Sequence, residues 1–167
     1  MIETERLRLS LHQPTDFDDL HAMWSDPDVV RHISGVLSSE QESWFRFLRY
    51  RGLWDILGYG YWCVRTKADG RYVGDVGFAD LKRPVEPPLG AVPEAGWVLA
   101  RWAHGQGFAT EALRAALAWT DGRARRGPHG LHHGAGKWGI PQGGREMRIF
   151  PEGQSPLRGA ADIAFTA

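Results

Sequence analysis

The spacing of apolar residues predicts seven elements in the first 120 residues, in the order β-α-α-β-β-β-α. Residues 4–11 alternate leucines with polar residues, which is typical of a half-buried strand. A first amphipathic helix is predicted to begin near Thr15, which can cap it, and to end at Asp26–Pro27. A second helix is predicted to begin at the capping box Ser39–Glu42 and to continue towards Trp54.

Three strands are predicted after these helices. Tyr61–Arg65 and Tyr72–Phe78 are joined by a segment that ends in Asp69–Gly70, which is typical of a hairpin turn. Residues 82–93 contain four prolines and are predicted to form a surface loop, and the strand Glu94–Ala100 follows. We expect a mixed, mostly antiparallel sheet with helices on both faces, which is an α+β fold.

The strongest chemical signal is a glycine turn, His104–Gly107, which joins the last strand to a helix. The first N–H groups of a helix lack partners and carry a partial positive charge, so they bind anions. Gly105 and Gly107 would let a phosphate approach the backbone, and Thr110 adds a hydroxyl group. The helix carries one apolar stripe, made of Phe108, Ala109, Ala112, Leu113, Ala116, Leu117 and Trp119.

This turn resembles the pyrophosphate loop of the GNAT family of N-acetyltransferases, written [Gln/Arg]-x-x-Gly-x-[Gly/Ala]. Gly107 and Ala109 fit that pattern, whereas His104 departs from it. The run from Gly107 to Ala112 is similar to the Gly-[Tyr/Phe]-Ala-Thr-Glu-Ala sequence of the branch that acetylates the N-termini of ribosomal proteins. Further likeness in the first strand and at residues 74–78 extends the resemblance over residues 3–122.

The resemblance implies transfer of an acetyl group from acetyl-CoA, as co-substrate and without a metal, to a primary amine. That amine would be a protein N-terminus or a small molecule. The pantetheine arm would contact backbone groups of the last strand, and the pyrophosphate would lie on amides of the glycine turn. The residues implied to bind acetyl-CoA are Val98, Leu99, Ala100, His104, Gly105, Gln106, Gly107, Phe108, Ala109 and Thr110.

Glu94 is the candidate general base, acting directly or through water. Members of the family deprotonate the amine, which attacks the thioester while a backbone N–H stabilises the oxyanion. Glu94 stands at the start of the strand beside the expected cleft. The alternative is a solvated acid at a strand end. The family's general acid is often a tyrosine from a later helix, and we assign no residue to that role.

Composition narrows the class of protein. The 167 residues include 20 basic and 20 acidic side chains, a formal net charge of +0, which argues against nucleic acid or an anionic membrane as the main partner. We find no signal peptide and no apolar run of membrane-spanning length. The single Cys63 cannot form an internal disulfide and fits a core position, so we expect a cytoplasmic protein. The sequence does not indicate an oligomeric state.

The sequence changes character after Arg126. Nine of the 21 glycines and four of the ten prolines lie in the last 41 residues, where no helical or strand period persists. We therefore divide the chain into an N-terminal two thirds of an acetyltransferase domain, residues 1–126, and a tail, residues 127–167. The family fold requires a fifth strand, a fourth helix and two more strands at this point, so the C-terminal part of the fold is missing or aberrant.

A frameshift is the interpretation we favour for this tail. We rebuilt each codon from the last two bases of one residue's codon and the first base of the next residue's codon. Over Lys137–Phe150 the rebuilt codons permit the sequence Asn-Gly-Ala-Ser-Leu-Lys-Val-Ala-Glu-Lys-Cys-Gly-Phe. That string resembles the next family motif, Asn-x-x-Ser-x-x-Val-x-Glu-Lys-x-Gly-Phe, at the expected distance downstream. We interpret residues 127–167 as the product of a shift between about Trp119 and Leu131.

Two other features are better explained without a function. His129, His132 and His133 lack a cysteine or nearby carboxylate that would complete a metal site. The basic run from Arg123 to Arg126 suits the C-terminal end of a helix as well as it suits nucleic acid.

Two alternative functions stay open. A non-catalytic acyl-CoA-binding module, or an inactive truncated family member, would carry the same phosphate loop, and detectable acetyl transfer would exclude both. A dinucleotide-binding domain is less consistent with the sequence, because no third glycine follows Gly107 at the required spacing.

Overall fold

Five antiparallel strands form the centre of the fold in the computed structural model, which describes residues 1–31, 33–82 and 93–125. Their order in the sheet is their order in the chain, and every neighbouring pair is antiparallel. This confirms the α+β class and is inconsistent with the parallel sheet of a dinucleotide-binding domain. The strands are β1 (Ile2–Glu3), β2 (Leu7–Ser10), β3 (Tyr61–Thr66), β4 (Tyr72–Ala79) and β5 (Glu94–Leu99).

Four α-helices and two short 3-10 turns accompany this sheet in the described residues. The predicted capping box is present, because the Ser39 N–H donates to Glu42 Oε2 at 2.7 Å and the Glu42 N–H donates to Ser39 Oγ at 3.2 Å. The helices are α1 (Phe17–Trp24), α2 (Pro27–Val30), α3 (Glu40–Leu57) and α4 (Phe108–Arg125), and the 3-10 turns are Pro14–Asp16 and Arg101–Ala103. No helix of the described part is long and apolar enough to cross a membrane.

The helices cover both faces of the sheet, as predicted. Helices α1, α2 and α3 pack on the face that carries Cys63 and Val98. Helix α4 packs on the opposite face, which carries Trp62, Val64 and Val76. Alternation along each strand sends neighbouring side chains to opposite faces, so the two cores are built from the same strands.

Some predicted boundaries were wrong. Residues 4–11 do not form one strand, because Thr4 Oγ1 accepts from the Leu7 N–H at 2.9 Å and turns the chain between β1 and β2. Thr15 does not cap α1; the Asp16 carboxylate instead accepts from the Gln13 N–H at 2.7 Å.

The prediction of a central Glu94–Ala100 strand is not met in the described sheet, where β5 is an outer strand. The family resemblance expects a partner on its other side from residues after 125, which lie outside the described residues. The same holds for most of the proline-rich loop and for the whole of the predicted tail, residues 127–167.

We expect Gly77→Ala to lower the free energy of unfolding by about 3 kcal/mol. A Cβ atom at Gly77 would overlap the Gly60 carbonyl oxygen and the Tyr61 Cα, and main-chain atoms of a paired strand cannot move aside. Urea unfolding measures the change. The control is Gly52→Ala in α3, where a Cβ meets no atom within 4 Å and the change should stabilise by roughly 0.5 to 1 kcal/mol. Equal effects of the two substitutions would contradict this packing.

Candidate active site

The glycine turn leaves the backbone at the start of α4 open. Gly105 and Gly107 have φ of +72° and +76°, a left-handed conformation that favours glycine. A Cβ at Gly105 would have no neighbour within 4 Å, and at Gly107 the nearest atom would be Arg6 Nη2 at 3.6 Å. The first helical N–H to reach a carbonyl is that of Glu111, which donates to Gly107 O at 3.1 Å. The amides from Phe108 to Thr110 therefore precede the first hydrogen bond of the helix.

The side chains of the turn hold it in place. His104 Nε2 bonds to the Leu99 carbonyl oxygen at 2.9 Å, and Gln106 Nε2 donates to the Trp102 carbonyl oxygen at 2.6 Å. Phe108 is buried in the α4 core, Ala109 is half-buried and Thr110 is exposed. His104 and Gln106 thus act on the shape of the turn, and the backbone is what the turn offers to a ligand.

The register of β5 changes which backbone groups can meet a pantetheine arm. The Ala100 N–H donates to Val73 O at 2.9 Å and its carbonyl accepts from Ala103 N at 2.8 Å, so both groups are engaged. Antiparallel pairing alternates along a strand, and Val98 therefore also turns its backbone towards β4.

The edge of β5 that has no partner strand in the described residues, the free edge, is formed by every second residue. Ala95, Trp97 and Leu99 lie at the non-hydrogen-bonded positions of the β4–β5 pair, so their N–H and C=O groups point away from β4. Of the three strand residues predicted to contact acetyl-CoA, this direction favours Leu99. Trp97, which the sequence analysis did not name, turns its backbone in the same direction, and a sequence does not reveal which strand residues do so.

Glu94 is buried, with 6% of its surface exposed, so it is not the solvated strand-end acid of the alternative interpretation. It pairs with Ala79 at the start of β5, and alternation sends its side chain to the same face as Val98. Between these two positions Gly96 leaves room for the Tyr61 hydroxyl group, which lies directly over it.

A charged network that the sequence analysis did not assign joins the β1–β2 turn to α4. Glu111 Oε1 accepts from Thr4 Oγ1 at 2.5 Å and from the Arg6 N–H at 2.9 Å, and Glu111 Oε2 accepts from Arg6 Nε at 2.7 Å. Arg6 Nη1 also donates to Gln106 O at 3.0 Å, and its guanidinium lies 4.6 Å from the Phe108 ring centre. The Arg6 guanidinium, paired with Glu111, therefore lies beside the start of α4.

An open groove of about 630 Å³ lies along this network and the first turns of α4. Arg6, Gly107, Thr110 and Arg114 line it. Two guanidinium groups, a hydroxyl group and a helix N-terminus are the groups that proteins use to bind phosphate. Among the described residues no group of three or more metal-ligating side chains is present, and His129, His132 and His133 lie outside them.

We expect Glu111→Gln to remove part of the acid sensitivity of folding. Burial alone would raise the pKa of Glu111, but hydrogen bonds from Thr4 and Arg6 lower it below the ordinary value. A group with a lowered folded-state pKa contributes stability above its ordinary pKa, near 4.3, and loses it as pH falls. The substitution should cost about 1 to 2 kcal/mol at pH 7 and progressively less below pH 4. Urea unfolding at several pH values tests this, and parallel curves for the two proteins would contradict it.

Comparison with known proteins identifies relatives of this chain. Residues 6–133 match the model of the family described as acetyltransferase (GNAT) domain. The chain is 30% identical to the uncharacterised protein YkkB of Bacillus subtilis (strain 168) over 118 residues, which are 68% of this chain and 64% of that protein. The chain thus spans less than two thirds of the length of that curated relative.

Solved structures share the fold. A protein of Bordetella pertussis assigned to the GnaT family of acetyltransferases has a TM-score of 0.64 at 30% identity, over 73% of this chain and 72% of its own. RimL, a ribosomal L7/L12 alpha-N-protein acetyltransferase in complex with coenzyme A, has a TM-score of 0.55 at 18% identity, over 74% of this chain and 67% of its own. At 18% identity the likeness to RimL shows the fold alone.

Proposed function

The chain belongs to the GNAT acetyltransferase family, and we propose that it transfers an acetyl group from acetyl-CoA to a primary amine. The observation that carries this proposal is the open glycine turn at the N-terminus of α4. Its left-handed glycines leave space above unpaired amides, beside Arg6 and the groove that Arg114 also lines. This arrangement suits the pyrophosphate of a CoA thioester.

The residues present fit acetyl-CoA along two adjoining segments. The amides of Gly105, Gly107 and Ala109 would hold the pyrophosphate, with the guanidinium of Arg6 beside them. The free edge of β5, with the amides of Trp97 and Leu99, would hold the arm. Acetyl-CoA supplies the activated acetyl group when it is bound.

The protein's own contribution to the reaction is orientation and charge stabilisation. A backbone N–H at the edge of β5 would stabilise the oxyanion that develops on the thioester carbonyl, and an amide that is fixed in a sheet needs no rearrangement to do so. Glu94, buried at the start of the same strand, stays the candidate general base for the amine.

Binding and transfer are tested in two steps. Titration calorimetry with acetyl-CoA should show saturable binding, and release of free CoA thiol should then depend on an added amine. A panel of peptides with free N-termini and of small primary amines identifies the acceptor class, since both classes suit the family. Binding to neither acetyl-CoA nor CoA would overturn the proposal.

A second candidate, acyl-CoA binding without catalysis, has one observation in its favour. The open glycine turn and the groove beside it suit the binding of a CoA thioester and do not by themselves require transfer of its acyl group. Tight acetyl-CoA binding without release of CoA thiol to any amine of the panel would favour this candidate over the enzyme.

A further inference from the structure

Helix α3 is apolar on the side that faces away from the protein. Its inner side is buried towards the sheet and α1. Because one helical turn takes about 3.6 residues, the opposite side follows from the buried positions. That outer side, here called the α3 stripe, consists of Phe45, Leu48, Gly52 and Ile56. Phe45, Leu48 and Ile56 expose 60%, 46% and 73% of their surface, at positions where a surface helix normally carries polar residues.

Exposed apolar side chains are concentrated around this helix. Of the seven large ones that are exposed among the described residues, all but Met1 belong to α3 or to the loop before it: Val36, Leu37, Trp44, Phe45, Leu48 and Ile56. Trp44 borders the α3 stripe and packs edge-on against Phe17 of α1, with 5.1 Å between the ring centres. The exposed parts of Trp44 and of the three stripe side chains add up to on the order of 400 Å². A patch of this size is typical of a surface that binds another molecule.

The area of the patch is close to what an interface between two copies of the chain requires. A standard interface buries about 800 Å² on each partner, and about 65% of a homodimer interface is apolar. Its apolar core is therefore about 500 Å² on each copy. The α3 stripe and Trp44 supply most of that area, and the polar residues beside them would form the rim.

The charges of α3 favour a second copy over a strongly charged partner. The helix carries three acidic and three basic residues, which are Glu40, Glu42, Asp55, Arg46, Arg49 and Arg51. A partner that is recognised by its charge requires an excess of the opposite sign on this surface. Two neutral helices meet without net repulsion, and an antiparallel arrangement places the positive end of each dipole beside the negative end of the other.

The spacing of the α3 stripe is complementary to itself. A two-fold axis that crosses the helix near residue 50 places position 48 of one copy opposite position 52 of the other, and position 45 opposite position 56. Leu48 then meets Gly52 of the second copy, and Phe45 meets its Ile56. A Cβ atom at Gly52 would have no neighbour within 4 Å in a single copy, so the glycine leaves room for the facing leucine.

We propose that the chain forms a two-fold symmetric dimer through antiparallel contact of two α3 stripes. This inference does not depend on acetyl transfer. Helices α3 and α4 pack on opposite faces of the sheet, so the contact leaves the glycine turn of each copy uncovered.

The first experiment measures the association of the full chain by sedimentation velocity between about 1 and 100 μM. The wild type should be a dimer, and Leu48→Glu should raise the dissociation constant at least about 100-fold, because the dimer would bury one carboxylate from each copy. The matched control is Val36→Glu in the loop before α3. It makes the same change at a side chain with 67% of its surface exposed, and it should leave the dissociation constant unchanged. Circular dichroism checks that both variants are folded.

A second experiment tests the antiparallel register. Gly52→Lys should also weaken the dimer, because its side chain would fill the space that the facing Leu48 needs. An equimolar mixture of Leu48→Glu and Gly52→Lys should recover dimers, since the new carboxylate at position 48 of one copy would face the new ammonium group at position 52 of the other. A mixture that stays monomeric would overturn the register and with it the proposed interface.

Other occupants of the α3 stripe give different results, and each would overturn the proposal. If folded Leu48→Glu associates as tightly as the wild type, the contact lies elsewhere, for example at the edge of β5. If the wild type is monomeric at the highest concentration and Leu48→Glu lowers its free energy of unfolding in urea, a segment of the same chain covers the stripe. A monomer whose free energy of unfolding is unchanged by Leu48→Glu would leave the stripe to a different protein.

Discussion

Gly107→Val is expected to weaken acetyl-CoA binding by a factor of about 100 or more, which corresponds to about 2.7 kcal/mol. The valine side chain would enter the open space in front of the first amides of α4, where the pyrophosphate is proposed to lie. At a φ of +76° the substitution also strains the turn. Titration calorimetry with acetyl-CoA measures the loss.

A second glycine provides a matched control for backbone strain. Gly70 has a φ of +71° in the hairpin between β3 and β4, with open space around its Cβ position and no part in the proposed site. Gly70→Val should therefore cost stability similar to that of Gly107→Val, about 1 to 2 kcal/mol, while leaving acetyl-CoA affinity unchanged. Equal affinities of the two variants for acetyl-CoA would exclude the glycine turn as the pyrophosphate site.

Restoring the reading frame is expected to have the other large effect. We propose that deleting one base, or adding two, near codon 125 replaces the tail with the family's next motif. In the family, the fifth strand pairs beside the strand equivalent to β5 and forms the second wall of the cleft. A wall along this edge should tighten acetyl-CoA binding by about tenfold or more, which corresponds to about 1.4 kcal/mol of binding free energy. It should also reduce association through this edge of β5, which has no partner strand in the described residues.

The comparison uses the chain with its present tail and the protein with the restored frame, expressed and purified in parallel. Calorimetry gives the affinities for acetyl-CoA, and light scattering gives the association state. Introducing Gly107→Val into the restored protein should abolish its binding, which ties any gain to the proposed site. The frameshift interpretation is contradicted if the chain with its present tail is monomeric and binds acetyl-CoA as tightly as the restored protein. A nucleotide sequence of codons 115–135 with no base inserted or lost relative to close homologues would also contradict it.

Much of the architecture could be predicted because it depends on local pattern. The capping box at Ser39, the Asp69–Gly70 hairpin turn and the apolar stripe of α4 each involve residues a few positions apart, and each appears in the structure. The glycine turn is local as well, since an unpaired helix N-terminus preceded by glycines needs no distant residue to form. Local errors, such as the single strand predicted over residues 4–11, arose where a side chain turned the chain.

The parts of the candidate site that sequence reasoning missed join residues far apart in the chain. Arg6 meets Glu111 across 105 residues. Register decides that Leu99 and Trp97, rather than Val98 and Ala100, turn their amides to the free edge. The sequence by itself therefore determined the elements and the glycine turn, because backbone propensity and periodicity act between near neighbours. Only the tertiary structure decided which charges and amides surround that turn, because pairing between distant strands and helices sets those distances.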